Sequence, residues 1–329
     1  MRTDPSGALG PTPKQARGRA WRRSSRGLYV PAYVPDSPQQ RVLEASAVVP
    51  ADGAVTGWAA LAWQRVRWID GCDADGSELP VTILTPGSQA RAQAGIEVSK
   101  ERMLPRTRQV VDGVVLTDPH RSVAFEVRRA ETPLSAVRWL DLVAASDLIS
   151  LAEMAAYAET LSGWTGIDRL RRAISLADEN VWSPSETDLR LTLKVRMGIA
   201  GVVSNRPVFD LDGRHIGTPD VIDLERGVVA EYDGALHLAG RQRAKDLRRE
   251  GAFRRVGLEY VTMVAADRRD PADFIRRTHE ARARASRTPM ADRQRTINPP
   301  RWWTPTHTVE MRRALADWQR ERYLRARAG

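Results

Sequence analysis

A chain of 329 residues with 42% hydrophobic and 28% charged residues lies within ordinary globular usage, which excludes a wholly disordered chain, a collagen-like repeat and a coiled-coil fibre. At about 150 residues per domain, that length predicts two domains. The net charge of +10 is uneven: residues 241–329 hold 23 Lys and Arg against 11 Asp and Glu, and the first 240 hold 28 against 30. A basic end beside a near-neutral remainder suits a polyanion binder, because each neutralised phosphate releases counterions. Only four of the 51 basic residues are lysines, however, and a GC-rich genome produces the same Arg excess. No apolar run approaches the ~18 residues of a spanning helix, and residues 1–21 lack the apolar centre of a secretory signal. The single cysteine, Cys72, allows no intrachain disulfide and no zinc cluster. A cytoplasmic location is the expectation.

Residues 1–20, rich in Gly, Pro, Arg and Ser, predict a disordered arm. The alternating run at 26–34 predicts a strand or hairpin interrupted by Pro31. Ser37 followed by Pro38 predicts an N-cap with proline at the first helical position, and a second helix follows at 54–66 with Trp58, Leu61 and Ala62 on one side. An Asp- and Gly-rich loop leads to a strand at 81–85; β-like runs follow at 96–99 and 109–117, the second with an Asp-Gly turn inside it. Helical patterns occupy 122–130, 136–150, 151–161 and 162–177. His120 stands alone in this half, and a lone histidine is most simply a solvated side chain.

From Ser183 the punctuation sharpens. Ser183, Pro184 and Glu186 stand at N-cap, N1 and N3 of a helix that runs to Gly198. Three apolar segments between 202 and 233, separated by turns after Leu211 and at Gly227, predict three antiparallel strands. A basic helix over 241–257, a buried strand over 258–266 and a helix opened by Pro271 complete the order helix, three strands, helix, strand, helix. That order predicts an α+β or α/β sheet with helices packed on it.

The chemistry concentrates between Asp220 and Asp246. Asp220 begins one strand and Glu231 nears the end of the next, so a turn at 225–227 brings both carboxylates to one sheet edge. Asp233 lies two residues on, hence on the same face as Glu231. Hard oxygen ligands so placed suit Mg²⁺, which takes one or two carboxylates and completes its octahedron with water and phosphate. His237 follows within reach, and the helix beyond carries Arg241, Arg243, Lys245, Arg248 and Arg249. Against a metal site stands the ordinary alternative of solvated acids around a turn, with Asp-Gly chosen for its backbone. Glu186 is explained by a capping box alone, with a place near the metal as its alternative.

The segment from Ser183 to about Ala285 resembles the PD-(D/E)XK nuclease superfamily, in particular its uncharacterised DUF branch related to very short patch repair endonucleases. The resemblance is carried by Pro219-Asp220, Glu231-Tyr232-Asp233-Gly234, His237 and Lys245-Asp246-Leu247-Arg248. It implies an αβββαβ restriction-endonuclease-like core and cleavage of DNA phosphodiester bonds with Mg²⁺ or Mn²⁺. It further implies Asp220 and Glu231 as metal ligands and Glu186 as an acid from the first helix. The superfamily usually has Lys where this chain has Asp233. Asp233 is then available to the metal, His237 to the attacking water as general base, and Lys245 as a replacement cation.

The first 180 residues resemble abortive-infection type IV antitoxin-like proteins, although the helix-turn-helix expected before the Gly27–Pro31 strand is absent or reduced to the arm. The expected organisation is therefore an arm at 1–20, a smaller mixed α/β and helical region at 21–180, a nuclease-like domain at 183–286 and a basic tail at 287–329. Trp302 and Trp303 in that tail pack back on the core or stack on a partner. The implied partner is DNA, with a homodimer or a toxin-like protein as further partners. A non-catalytic DNA-binding regulator or antitoxin is the rival reading.

Overall fold

A computed structural model describes the whole chain except residues 74, 89, 235–240, 288, 290, 291 and 326–329, and describes the backbone but not the side chains of 241–246. The protein is α+β, and it divides into two compact units: residues 1–130 with 157–170, and residues 131–156 with 171–329. Among the described residues no helix is long and apolar enough to cross a membrane.

In the first unit, β1 (Trp21–Ser25) and β2 (Leu28–Pro31) form a hairpin. Next come α1 (Pro38–Ser46), β3 (Ala54–Thr56), α2 (Gly57–Trp63), β4 (Val81–Leu84), β5 (Ile96–Ser99), β6 (Arg108–Val111), β7 (Val114–Thr117) and α3 (Pro119–Arg129). Strands β3 to β7 make one sheet in the order β5-β4-β3-β7-β6. Ser37 caps α1 by accepting from the Gln40 amide at 3.1 Å, with Pro38 at the first position, as its sequence dictates. Helix α2 is not amphipathic: every residue from Gly57 to Ala62 is buried, so the expectation of one apolar side gives way to a helix enclosed all round. His120 is half-buried, its Nδ1 3.6 Å from Asp118 and its ring 5.7 Å from that of Tyr157, rather than solvated. Residues 1–20 carry turns and one 3₁₀ turn at Gln15–Arg17.

The boundary between the units runs through two of the next three helices, α4 (Pro133–Ala145), α5 (Leu151–Glu159) and α6 (Ile167–Leu176). The second unit continues with α7 (Pro184–Leu191), β8 (Val202–Ser204), β9 (Val208–Phe209), β10 (His215–Gly217), β11 (Val221–Asp223), β12 (Val228–Asp233), α8 (Arg241–Arg255), β13 (Glu259–Val264), α9 (Ala272–Ala285), α10 (Val309–Arg313) and α11 (Asp317–Tyr323). Its sheet has the order β13-β12-β11-β8, with β8, β11 and β12 antiparallel in turn and β13 parallel to β12. The region read as three strands thus contains five, because the Asp212-Gly213 turn closes a separate ribbon of β9 and β10. The helix expected to run unbroken from Ser183 to Gly198 is α-helical only to Leu191 and continues as a π turn over Thr192–Arg196.

Strand alternation sorts side chains to the two faces of this sheet. Val221, Ala230, Val261 and Met263 pack with Leu189, Leu193, Phe274 and Ala281, under α7 and α9. Ile222, Val229, Phe253, Val256 and Leu258 pack on the opposite face, under α8. Gly217 lets β10 approach α8, since a Cβ there would sit 2.8 Å from the Phe253 ring. Asp141 on α4 and Arg190 on α7 form a fully buried pair at 2.8 Å, with Thr187 Oγ1 and the Asp178 amide also donating to Asp141. Asp147 gathers Arg312 and Arg320 on its carboxylate, and Arg312 also donates to the Ala144 carbonyl at 2.8 Å. The segment 287–329 therefore belongs to this unit: Thr296 pairs with Phe209, and Trp303 meets Phe209 edge to face and His215 at a tilt, with ring centroids 5.1 and 4.8 Å away. Trp302 remains 63% exposed beside them.

Candidate acidic site at the end of the second sheet

The register of β11 and β12 pairs Val221 with Ala230 and Ile222 with Val229, so the next pair outward is Asp220 with Glu231. Glu231 points to the α8 face, together with Ile222 and Val229. The backbone ladder stops there because the Asp220 side chain replaces a carbonyl: its Oδ2 accepts from the Tyr232 amide at 2.8 Å. The Gly227 turn that brings the strands together has φ +78°, and the Asp223 carboxylate accepts from the Glu225 and Arg226 amides inside it.

Glu231 is held from two sides. Tyr260 on β13 donates its hydroxyl to Oε2, and Arg249 on α8 pairs with Oε1 at 2.7 Å. Arg249 also donates to the Thr218 carbonyl, and its guanidinium lies 5.9 Å from the Phe253 ring centroid. Burial and the Glu231 charge raise the Tyr260 hydroxyl above its ordinary range, so it remains a donor.

Glu186 approaches from the first turn of α7. It is buried, and accepts from the Trp182 amide at 2.9 Å, Asn205 Nδ2 at 2.7 Å and Ser183 Oγ at 3.0 Å. The cap departs from the expected box by one residue, since the amide reaching Glu186 is that of Trp182 and not of Ser183. Asn205, at φ +47°, donates its own amide to the Asp220 carbonyl and so ties the two acidic residues together. Burial, with the Asp220 charge behind it, pushes the Glu186 carboxyl up to about 7. Burial likewise raises Asp220, against the opposing pull of the Tyr232 amide and Arg249.

A carboxyl whose folded pKa exceeds its unfolded value binds more protons folded than unfolded between the two values. Stability contributed by protonated Glu186 is therefore present below about 4.5 and lost as pH rises through about 7. Glu186→Gln is expected to narrow the gap in stability between pH 5 and pH 8, measured by urea denaturation. An unchanged gap would place the charge penalty elsewhere.

Asp220, Glu231 and Glu186 are thus brought to one region, whereas Asp233 is exposed at the end of β12. Among the described residues no three His, Cys, Asp or Glu side chains form a group able to hold a metal ion. Two carboxylates, with water and a substrate phosphate in the other positions, still constitute a donor set that Mg²⁺ accepts. On that donor chemistry Asp220 and Glu231 fit the ion, with Asp233 outside the set. His237 lies outside the described residues, as do the side chains of Arg241, Arg243 and Lys245. Arg248 is exposed, but Arg249 faces the acids and not a phosphate-tracking surface.

Sequence reading missed Asn205, Tyr260 and the inward role of Arg249. A polar residue in a left-handed turn after β8 is a weak signal, and Tyr260 and Arg249 become visible only through the β12–β13 register and the seating of α8. It missed His215 too, whose Nε2 is 3.1 Å from Thr218 Oγ1 and whose imidazole burial holds below its usual pKa. No protein-family model, curated protein or solved structure matches this chain.

Proposed function

We propose that the second unit is a divalent-cation-dependent DNA endonuclease, hydrolysing phosphodiester bonds at the Asp220–Glu231 end of its sheet. One observation carries the reading: Asp220 and Glu231 stand one residue beyond the outermost registered pair of β11 and β12, with Asp220 accepting from the Tyr232 amide, at the end of an antiparallel meander joined by a parallel strand. The order α7, β8, β11, β12, α8, β13 supports a restriction-endonuclease-like core, with the β9–β10 ribbon as an insertion. Asp220 and Glu231 would hold Mg²⁺ or Mn²⁺, which supplies Lewis-acid polarisation of the scissile phosphoryl oxygen. Tyr260 orients Glu231, the Tyr232 amide orients Asp220, and Arg248 offers an exposed cation to the DNA backbone.

The rival reading is a DNA-binding regulator or antitoxin that keeps the fold as a scaffold. What favours it is the exposed Asp233 where a cation is usual, and the engagement of Glu231 by Arg249. Incubation with supercoiled, mismatched and single-stranded DNA in Mg²⁺ or Mn²⁺, against EDTA, separates the two. Endonuclease action gives metal-dependent nicked or shortened product. Retained DNA binding with no product from any substrate selects the regulator.

A further inference from the structure

The guanidinium of Arg249 stands where a cation would neutralise the two acids. It pairs with Glu231 Oε1 at 2.7 Å, donates to the Thr218 carbonyl, and lies 5.9 Å from the centroid of the Phe253 ring. Its side chain is 37% exposed against 13% for Glu231, so it lies between the buried carboxylate and water. Glu231 does not depend on Arg249 for its aim, since Tyr260 grips the other oxygen.

We propose that Arg249 is an exchangeable counter-ion. It holds Glu231 while no divalent cation is bound, yields the carboxylate when one enters, and then serves as a ligand for a DNA phosphate. This rests on the metal-dependent reading of Asp220 and Glu231. Exchange is feasible on charge grounds, because the Arg249 end of the pair is open to water, which weakens it, whereas a divalent ion satisfies both carboxylates at once. A released guanidinium on α8 would present five N–H donors beside the acids, in the planar geometry that phosphate oxygens accept.

Titration of the full chain with Ca²⁺ alone, followed by calorimetry, provides the first test. Removing the competitor in Arg249→Gln is expected to tighten Ca²⁺ binding about fivefold at low salt, and Arg249→Lys should stay near wild type. If Arg249→Gln loosens the packing of α8, Arg249→Met keeps a comparable unbranched apolar stem on α8 and carries the same expectation. The second readout is the salt dependence of duplex binding. Wild type and Arg249→Gln should have equal log-log slopes in EDTA, but in Ca²⁺ the wild-type slope should be steeper by about 0.9, the value of one additional phosphate contact.

Unchanged or weaker Ca²⁺ binding by Arg249→Gln and Arg249→Met, or slopes equal in both conditions, would make Arg249 a fixed structural tie and overturn the proposal. Asp220→Asn separates that failure from failure of the metal reading. If Asp220→Asn loses Ca²⁺ while Arg249→Gln binds as wild type does, only the counter-ion falls. If Asp220→Asn binds Ca²⁺ undiminished, both fall.

Discussion

Glu231→Gln is expected to abolish metal-dependent nicking while leaving the fold and the affinity for DNA close to wild type. The amide preserves the size of the side chain and an oxygen for the Tyr260 hydroxyl, but it carries no charge to hold a divalent cation or to pair with Arg249. Losing an outer hydrogen-bond partner of a metal ligand already costs about 10- to 100-fold in metal affinity or activity. Tyr260→Phe should fall in that range, and Glu231→Gln below it. The measurement is the nicking rate on supercoiled DNA across a Mn²⁺ series, with circular dichroism to check folding. Rescue of Glu231→Gln at high Mn²⁺ would make the carboxylate a contributor to affinity. Full activity at every concentration would remove Glu231 from the site.

Arg190→Met is expected to destabilise the second unit by about 3–5 kcal/mol, the cost of leaving one member of a buried ion pair without its partner. Arg190 is 1% exposed and donates to Asp141 Oδ2 at 2.8 Å and to the Leu176 carbonyl at 2.6 Å. Its loss strands Asp141, which is wholly buried between α4 and α7. Adding Asp141→Asn should recover part of the loss, since the neutral amide keeps an oxygen to accept from the Asp178 amide while its NH2 can donate to the Thr187 hydroxyl. Urea denaturation of the single and double variants gives the comparison. Equal stability of the two would show that the destabilisation comes from lost packing and not from the stranded charge.

The local punctuation of this chain was legible because capping is a contact between near neighbours. Ser37 with Pro38, Ser183 with Pro184 and the Gly227 turn all stand where their residue chemistry puts them. The antiparallel pairing of β11 with β12 was legible for the same reason: a short turn fixes the register of such a pair. Contacts decided by remote packing were not legible. The two short strands on either side of Asp212-Gly213 resemble any hairpin, and only the close approach of Gly217 to Phe253 shows that they leave the main sheet to cover α8.

Charge counting also overstated the basic end. Arg312 and Arg320 are spent on Asp147, Arg313 on Glu153, Arg277 on Asp267 and Arg282 on Asp223. The chain divides elsewhere than at the boundary expected near 180, because residues 131–156 fold with the C-terminal half. Their acids, Asp141 and Asp147, find guanidinium partners 49 and 165 positions later.

The Asp147 cluster gives the chain an order of completion. Asp147 leaves the ribosome 165 residues ahead of Arg312, and at typical elongation rates of about 5–20 residues per second that interval lasts roughly 8–30 s. During it the nascent helical segment carries an acid whose neutralising partners have not been made. Closure over so long a span belongs late in assembly, after local helices and the hairpins have formed. The cluster therefore closes only once Arg312 and Arg320 are made: a chain cut before Arg312 would keep the Asp147 carboxylate without either guanidinium.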